Sequence, residues 1–193
     1  HWKFYQEQNK VECHGDEMIS LSGFGFGDMQ NSSRISKIFS WITIASYMCQ
    51  FINRNELWAL MKKAVALAKK MGLVFSYDCF RQVCSLSLIM KNGKLREGRL
   101  HIINIGDGYG FLSALMKELF PNSLICLVDL GKTLLFQAHY CEKAHPKCLH
   151  HLVLNSSVRI HESDLDFRYC PADYLAKLNE LSFDIAINIA SMQ

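Results

Sequence analysis

The chain has 193 residues, of which 50% are hydrophobic and 20% charged, with a formal net charge of +3 at neutral pH. Such a composition can bury a core and does not read as disordered. A charge this mild implies no nucleic-acid partner, and the basic surplus of the first half reads as a solvated helical surface. The eight cysteines include no CxxC pair, and the chain is longer than disulfide-stapled scaffolds. They read as reduced thiols in a cytoplasmic protein, with the even count leaving disulfides open.

The start, HWKFYQEQNKVECHGDE, is polar and has no signal-peptide core. Its first residue is His1, which fits a fragment or a processed form. Residues 1–33 read as irregular, including the turn-rich SGFGFG at Ser22–Gly27. From Ser33 to Ile52 the residues Ile35, Ile38, Phe39, Ile42, Ala45 and Cys49 recur at helical spacing. The uncharged stretch Ile38–Ile52 is shorter than the roughly 20 residues of a spanning helix, so no transmembrane segment is expected. A second helix follows in NELWALMKKAVALAKKMG, with Asn55 as its cap, Glu56 in its first turn and Gly72 at its end. A third covers about Tyr77–Lys91, and KNGKLREG is a charged, turn-rich link.

After Arg99 the pattern changes. RLHIINI is a short, nearly continuous apolar strand, GFLSALMKELF an amphipathic helix, SLICLVDL a second strand and KTLLFQAHYCEKA a second helix. A third strand is expected in SVRIHESDL, a helix from Pro171 in PADYLAKLN, and a fourth strand in SFDIAINIAS. Strands buried on both faces and alternating with helices give an α/β fold with a doubly wound, mostly parallel sheet. The expected division is a helical region over 1–98 and an α/β domain over 99–193. Four strands would leave one sheet edge unpaired, so either the chain is incomplete or a partner, such as a second copy in a homo-oligomer, covers that edge.

Gly106, Gly108 and Gly110 fall where the first strand gives way to its helix. Glycine there permits a tight turn and a close ligand approach, and the helix N-terminus favours a negative group. A dinucleotide fingerprint places its third glycine one residue later than this GxGxG does. Asp129, at the tip of the second strand, can accept hydrogen bonds from both hydroxyls of an adenosine ribose, which NAD and S-adenosylmethionine share. HYCEKAHPKCLHH offers Cys141, His145, Cys148, His150 and His151 without the paired spacing of a zinc site, so no metal is expected and a solvated helix end is preferred.

The stretch IINIGDGYGFLSALMKELFPNSLICLVDL resembles the first two motifs of Rossmann-like, class I S-adenosylmethionine-dependent methyltransferases. With RQVCSLSLIM before it and FDIAINIASMQ after it, the chain is similar more narrowly to the sugar O-methyltransferases, although Gly131 stands where that group often has proline. The resemblance implies S-adenosylmethionine as cofactor and a small-molecule or glycan hydroxyl as acceptor. It implies that Gly106, Gly108 and Gly110, with Asp107 and Tyr109 between them, meet the methionine part of the cofactor. Asp129 and Leu130 would meet the ribose, Asp164 the adenine amino group, and Leu165 would flank the ring. A sugar hydroxyl benefits from a general base. His161 is the base candidate, while Asn188 and Gln193 can only orient the acceptor. Two other readings stand beside this one: a Rossmann-like domain that binds a nucleotide or partner without catalysis, and an NAD(P)-dependent oxidoreductase.

Overall fold

The computed structural model describes residues 10–14, 17–22, 41–46, 54–93, 98–153, 165–178 and 182–189. At the start of the chain, β1 (Lys10–His14) and β2 (Glu17–Ser22) pair antiparallel, with a bulge between Glu12 and Cys13. This corrects the irregular reading of 1–33: each strand is too short for its alternation to stand out from a turn-rich background. Residues 41–46 are helical, with Ile44 buried, within the Ser33–Ile52 stretch assigned to a helix. The SGFGFG stretch lies outside the described residues beyond Ser22.

Two long helices follow. In α1 (Arg54–Met71), Glu56 lies in the first turn and Lys69 and Lys70 in the last, each where the helix dipole favours its charge. The helix begins at Arg54, so Asn55 is a first-turn residue and not the cap. Gly72 closes it at φ 78°: its N–H donates to Lys69 O at 3.1 Å and that of Leu73 to Ala68 O at 2.8 Å, a Schellman ending. In α2 (Tyr77–Asn92), the Ser76 hydroxyl caps the first turn by accepting from the Cys79 N–H at 3.3 Å.

The remaining elements build an all-parallel five-stranded sheet. Its strands are β3 (His101–Ile105), β4 (Leu124–Asp129), β5 (His150–Leu152), β6 (Phe167–Pro171) and β7 (Ile185–Asn188), in spatial order β5-β6-β4-β3-β7. The α/β, Rossmann-like arrangement expected from the alternation is therefore present. Helices α3 (Phe111–Leu119) and α4 (Gly131–Ala144) connect the strands on one face. There Ile102, Ile125, Leu127, Phe167 and Tyr169 share a core with Phe111, Leu115 and Phe136. Leu57, Met61, Ala64, Phe80 and Leu86 of α1 and α2 belong to the same core, so these helices back the sheet domain directly. On the other face, Ile103, Cys126, Val128 and Cys170 pack with Leu178 and half-buried Tyr174 and Phe183. Burial of alternate residues on opposite faces explains why these strands read as unbroken apolar runs.

Two expectations change within the sheet, and a third falls outside the described residues. The segment assigned to the third strand falls mostly in 154–164, outside the described residues, and the strand beside β4 is β6. Pro171 ends that strand, and a 3-10 helix, Ala172–Leu178, follows it. The sheet has five strands and not four, because His150–Leu152 adds one beyond β6. The histidines around it are accordingly not a solvated helix end. The His150 ring stacks on Phe167 at 4.8 Å, and its Nδ1 lies 2.8 Å from the Tyr169 hydroxyl. No described helix is long and apolar enough to cross a membrane, and Cys79, Cys84, Cys126, Cys141, Cys148 and Cys170 are free thiols.

Candidate functional site

In an open α/β sheet, ligands bind beyond the carboxyl ends of the strands where strand order reverses. Here the chain runs from β3 to β4, on to the edge strand β5 and back to β6 between β4 and β5, then crosses to β7 on the other side of β3. Residues following Ile105 and Asp129, together with Asn188, which pairs in register with Ile105, therefore border the reversal point.

The loop leaving β3 is held at both ends. The Gly106 N–H donates to Val128 O at 2.9 Å, tying the loop to the neighbouring strand, and the Gly110 N–H donates to Asp107 O at 3.1 Å. Gly106, Gly108 and Gly110 have φ of 74°, 63° and 81°, the left-handed region that glycine alone enters without strain. Gly110 meets a second constraint. A Cβ there would stand 2.9 Å from Cys141 Sγ and 3.3 Å from both Cα and O of Gln137. Its small size thus lets α4 pack against the loop, whatever it does for a ligand.

Asp107 is buried, and its two carboxylate oxygens accept from the N–H groups of Leu112 at 3.1 Å and Ser113 at 2.7 Å. These are the first-turn donors of α3, which the sequence reading offered to a ligand anion. The Ser113 hydroxyl in turn accepts from Asn104 Nδ2 at 3.0 Å, so a buried polar chain links β3 to the helix start. Burial pushes the Asp107 carboxyl up to about 7, against the lowering effect of Ser113 and Leu112, and the nearby Asp129 charge adds to the rise. An acid three residues before the glycine that leads a helix signals this self-capping in the sequence. Tyr109 lies 5.6 Å from the Phe136 ring and 5.4 Å from Tyr140, and it is buried. Its ring belongs to the core.

Asp129 ends β4. Its Oδ1 accepts from the Leu130 N–H at 2.7 Å and its Oδ2 from Gln137 Nε2 at 2.7 Å. Burial raises its carboxyl to about 6, while the two hydrogen bonds pull the other way. Leu130 beside it is 41% exposed, an apolar edge open to an approaching ring. Gln137, fully buried on α4, was not singled out in the sequence, where one glutamine on an otherwise apolar helix face carries no periodic signal.

Leu165 lies at the amino end of β6, where its carbonyl accepts from the Arg99 guanidinium. That is the opposite end of the sheet from Asp129, so it does not flank a ring beside that acid. The residues that follow β6, the strand beside β4, are Ala172 and Asp173, next to Pro171, which pairs in register with Asp129. His161, Asp164 and Gln193 lie outside the described residues. No group of three or more metal-ligating side chains occurs among the described residues. A separate groove of about 530 Å³ runs between α1 and α2 and reaches Leu119, at the far end of α3 from the glycine loop.

Compared with models of protein families the chain matches none, and no curated protein matches it significantly. The chemistry of the site therefore rests on its own geometry. That geometry brings together two carboxyls: Asp107, which occupies a helix N-terminus, and Asp129, at a strand tip with one fixed donor on each oxygen.

Proposed function

We propose that the chain binds S-adenosylmethionine beyond the carboxyl ends of β3 and β4 and transfers its methyl group to a hydroxyl, with a sugar or glycan as acceptor. The observation that carries this reading is the position of Asp107. Its carboxylate takes the α3 N–H groups that a diphosphate would need, and Asp129 places a second acid nearby. A dinucleotide would bring further negative charge to this edge, whereas a sulfonium cofactor brings a cation and no phosphate. Each Asp129 oxygen keeps a lone pair beyond its fixed donor, which suits two vicinal ribose hydroxyls. Exposed Leu130 and the start of the 3-10 helix at Ala172 and Asp173 would then border the adenine.

When bound, the cofactor supplies an already activated methyl group. The chain's own part is to align the acceptor oxygen with it and keep water out. Asn188, at the carboxyl end of β7, is proposed to orient the acceptor, and His161 to take its proton. The six described free thiols accord with the reducing, cytoplasmic setting proposed for the chain.

Calorimetric titration with S-adenosylhomocysteine and, separately, with NADH tests the reading. Binding of the former in preference to the latter is expected, and Asp129→Ala should weaken it by about 1.5–3 kcal/mol, the scale of hydrogen bonds to a charged group. Preference for NADH, or an unchanged affinity in the variant, would overturn it.

A further inference from the structure

Gln137 connects the two halves of the candidate site. Its Nε2 donates to Asp129 Oδ2 at 2.7 Å, and its backbone comes within 3.3 Å of where a Gly110 Cβ would stand. The side chain is fully buried, and its Oε1 has no hydrogen-bond partner among the described residues. A buried acceptor without a donor costs stability, so an apolar side chain of similar volume would serve packing better. What the amide provides is its one bond to Asp129. The direction of that bond follows from charge: turning the amide over would set Oε1 against an ionised carboxylate.

The consequence falls on the orientation of the acid. The terminal torsion of an aspartate is broad and weakly restrained, and the Leu130 N–H holds only Oδ1. With Gln137 on Oδ2, both oxygens are tied, and the remaining lone pairs face a fixed direction. A rigid pair of acceptors is complementary to a rigid pair of donors, which is the chemistry of a cis-diol. We propose that Gln137 is a positioning residue that locks the Asp129 carboxylate to receive the vicinal hydroxyls of a ribose, and so sets affinity for the nucleoside part of the ligand without touching it. This rests on the cofactor reading above.

The test compares the wild-type protein with Gln137→Leu, and with Gln137→Met should the branched side chain disturb folding. Adenosine, 2′-deoxyadenosine and S-adenosylhomocysteine are titrated calorimetrically, and Asp129 is titrated by carboxyl carbon NMR in the ligand-free protein. Loss of the bond should weaken adenosine and S-adenosylhomocysteine roughly tenfold, the scale of one hydrogen bond to a charged group. It should weaken 2′-deoxyadenosine less, bringing the two nucleosides closer in affinity, and raise the Asp129 midpoint in the free protein. A role in packing alone would lower stability but leave the nucleoside ratio and the midpoint where they were. Binding by the wild type with both quantities unchanged in the variants overturns the role of Gln137 and spares the cofactor reading. Failure of the wild type to bind any of the three ligands overturns both.

Discussion

Replacing Gly110 by alanine perturbs the glycine loop through two separable effects. The first is conformational: at φ 81° a side chain costs about 1–2 kcal/mol. The second is steric. The new Cβ would stand 2.9 Å from Cys141 Sγ and 3.3 Å from backbone atoms of Gln137. Cys141 is fully buried, and its thiol donates to Gly110 O at 3.5 Å, so it has little room to turn aside. Overpacking a filled core costs about 1–3 kcal/mol. Together the loss should be about 2–5 kcal/mol, a substantial part of the 5–15 kcal/mol typical of a folded domain. At about 2–4 °C per kcal/mol for a chain of this size, Tm should fall by roughly 4–20 °C. Urea denaturation of Gly110→Ala, Cys141→Ala and the double variant separates the effects. Removing the thiol should relieve part of the steric loss, so the double variant should be about 1–2 kcal/mol more stable than the sum of the single losses implies. Strict additivity, or a loss under about 0.5 kcal/mol for Gly110→Ala, would refute the close packing of loop and helix.

Asp107 and Lys117 give predictions of opposite pH dependence. Burial raises the Asp107 carboxyl to about 7, while an unfolded aspartate titrates near 3.9. Between those values the folded protein holds a proton that the unfolded chain has released, so stability falls as pH rises from about 4 to about 7. Asp129, raised to about 6, acts in the same direction over the lower part of that range. Asp107→Asn should therefore gain on the wild type as pH rises, and a difference in urea midpoint that stays constant from pH 4 to 8 would count against it. Lys117 is 3% exposed, and its ammonium donates to Ser123 O at 2.6 Å and to Asp166 at 2.5 Å. Burial by itself would raise the Asp166 carboxyl, but Lys117 and the Leu149 N–H hold it below its ordinary value. Lys117→Met should cost about 1–3 kcal/mol at pH 7, less than a fully buried pair because Asp166 can regain water. That loss should shrink as pH falls below 4, where the Asp166 contribution disappears from the wild type as well. An equal loss at pH 7 and pH 3 would refute the ion pair as its cause.

The sequence by itself determined the alternation of β3, α3, β4, α4 and β7. Each of these carries its signal within its own residues: apolar runs for strands buried on both faces, helical spacing for amphipathic segments, and glycines at a turn. The ending of α1 at Gly72 was legible for the same reason, since a left-handed residue and two backbone bonds complete it locally. What lay beyond reach were features completed by residues far along the chain. The three residues of β5 have no period of their own and become a strand only by pairing with β6. The five residues of β6, ending in a proline, likewise stand out as a strand only once they pair with β4.

The candidate site divides along the same line. Three glycines and an acid at a strand tip were visible as a motif. Tertiary packing decided that Asp107 occupies the helix start, that the Tyr109 ring belongs to the core, that Leu165 lies at the other end of the sheet, and that Gln137 holds Asp129. It also decided why Gly110 has to be small, since Cys141 is 31 positions away. Local patterns report which face of an element is buried. Only the folded chain specifies which distant atom lies against that face, and that contact determines the orientation and proton affinity of each polar group.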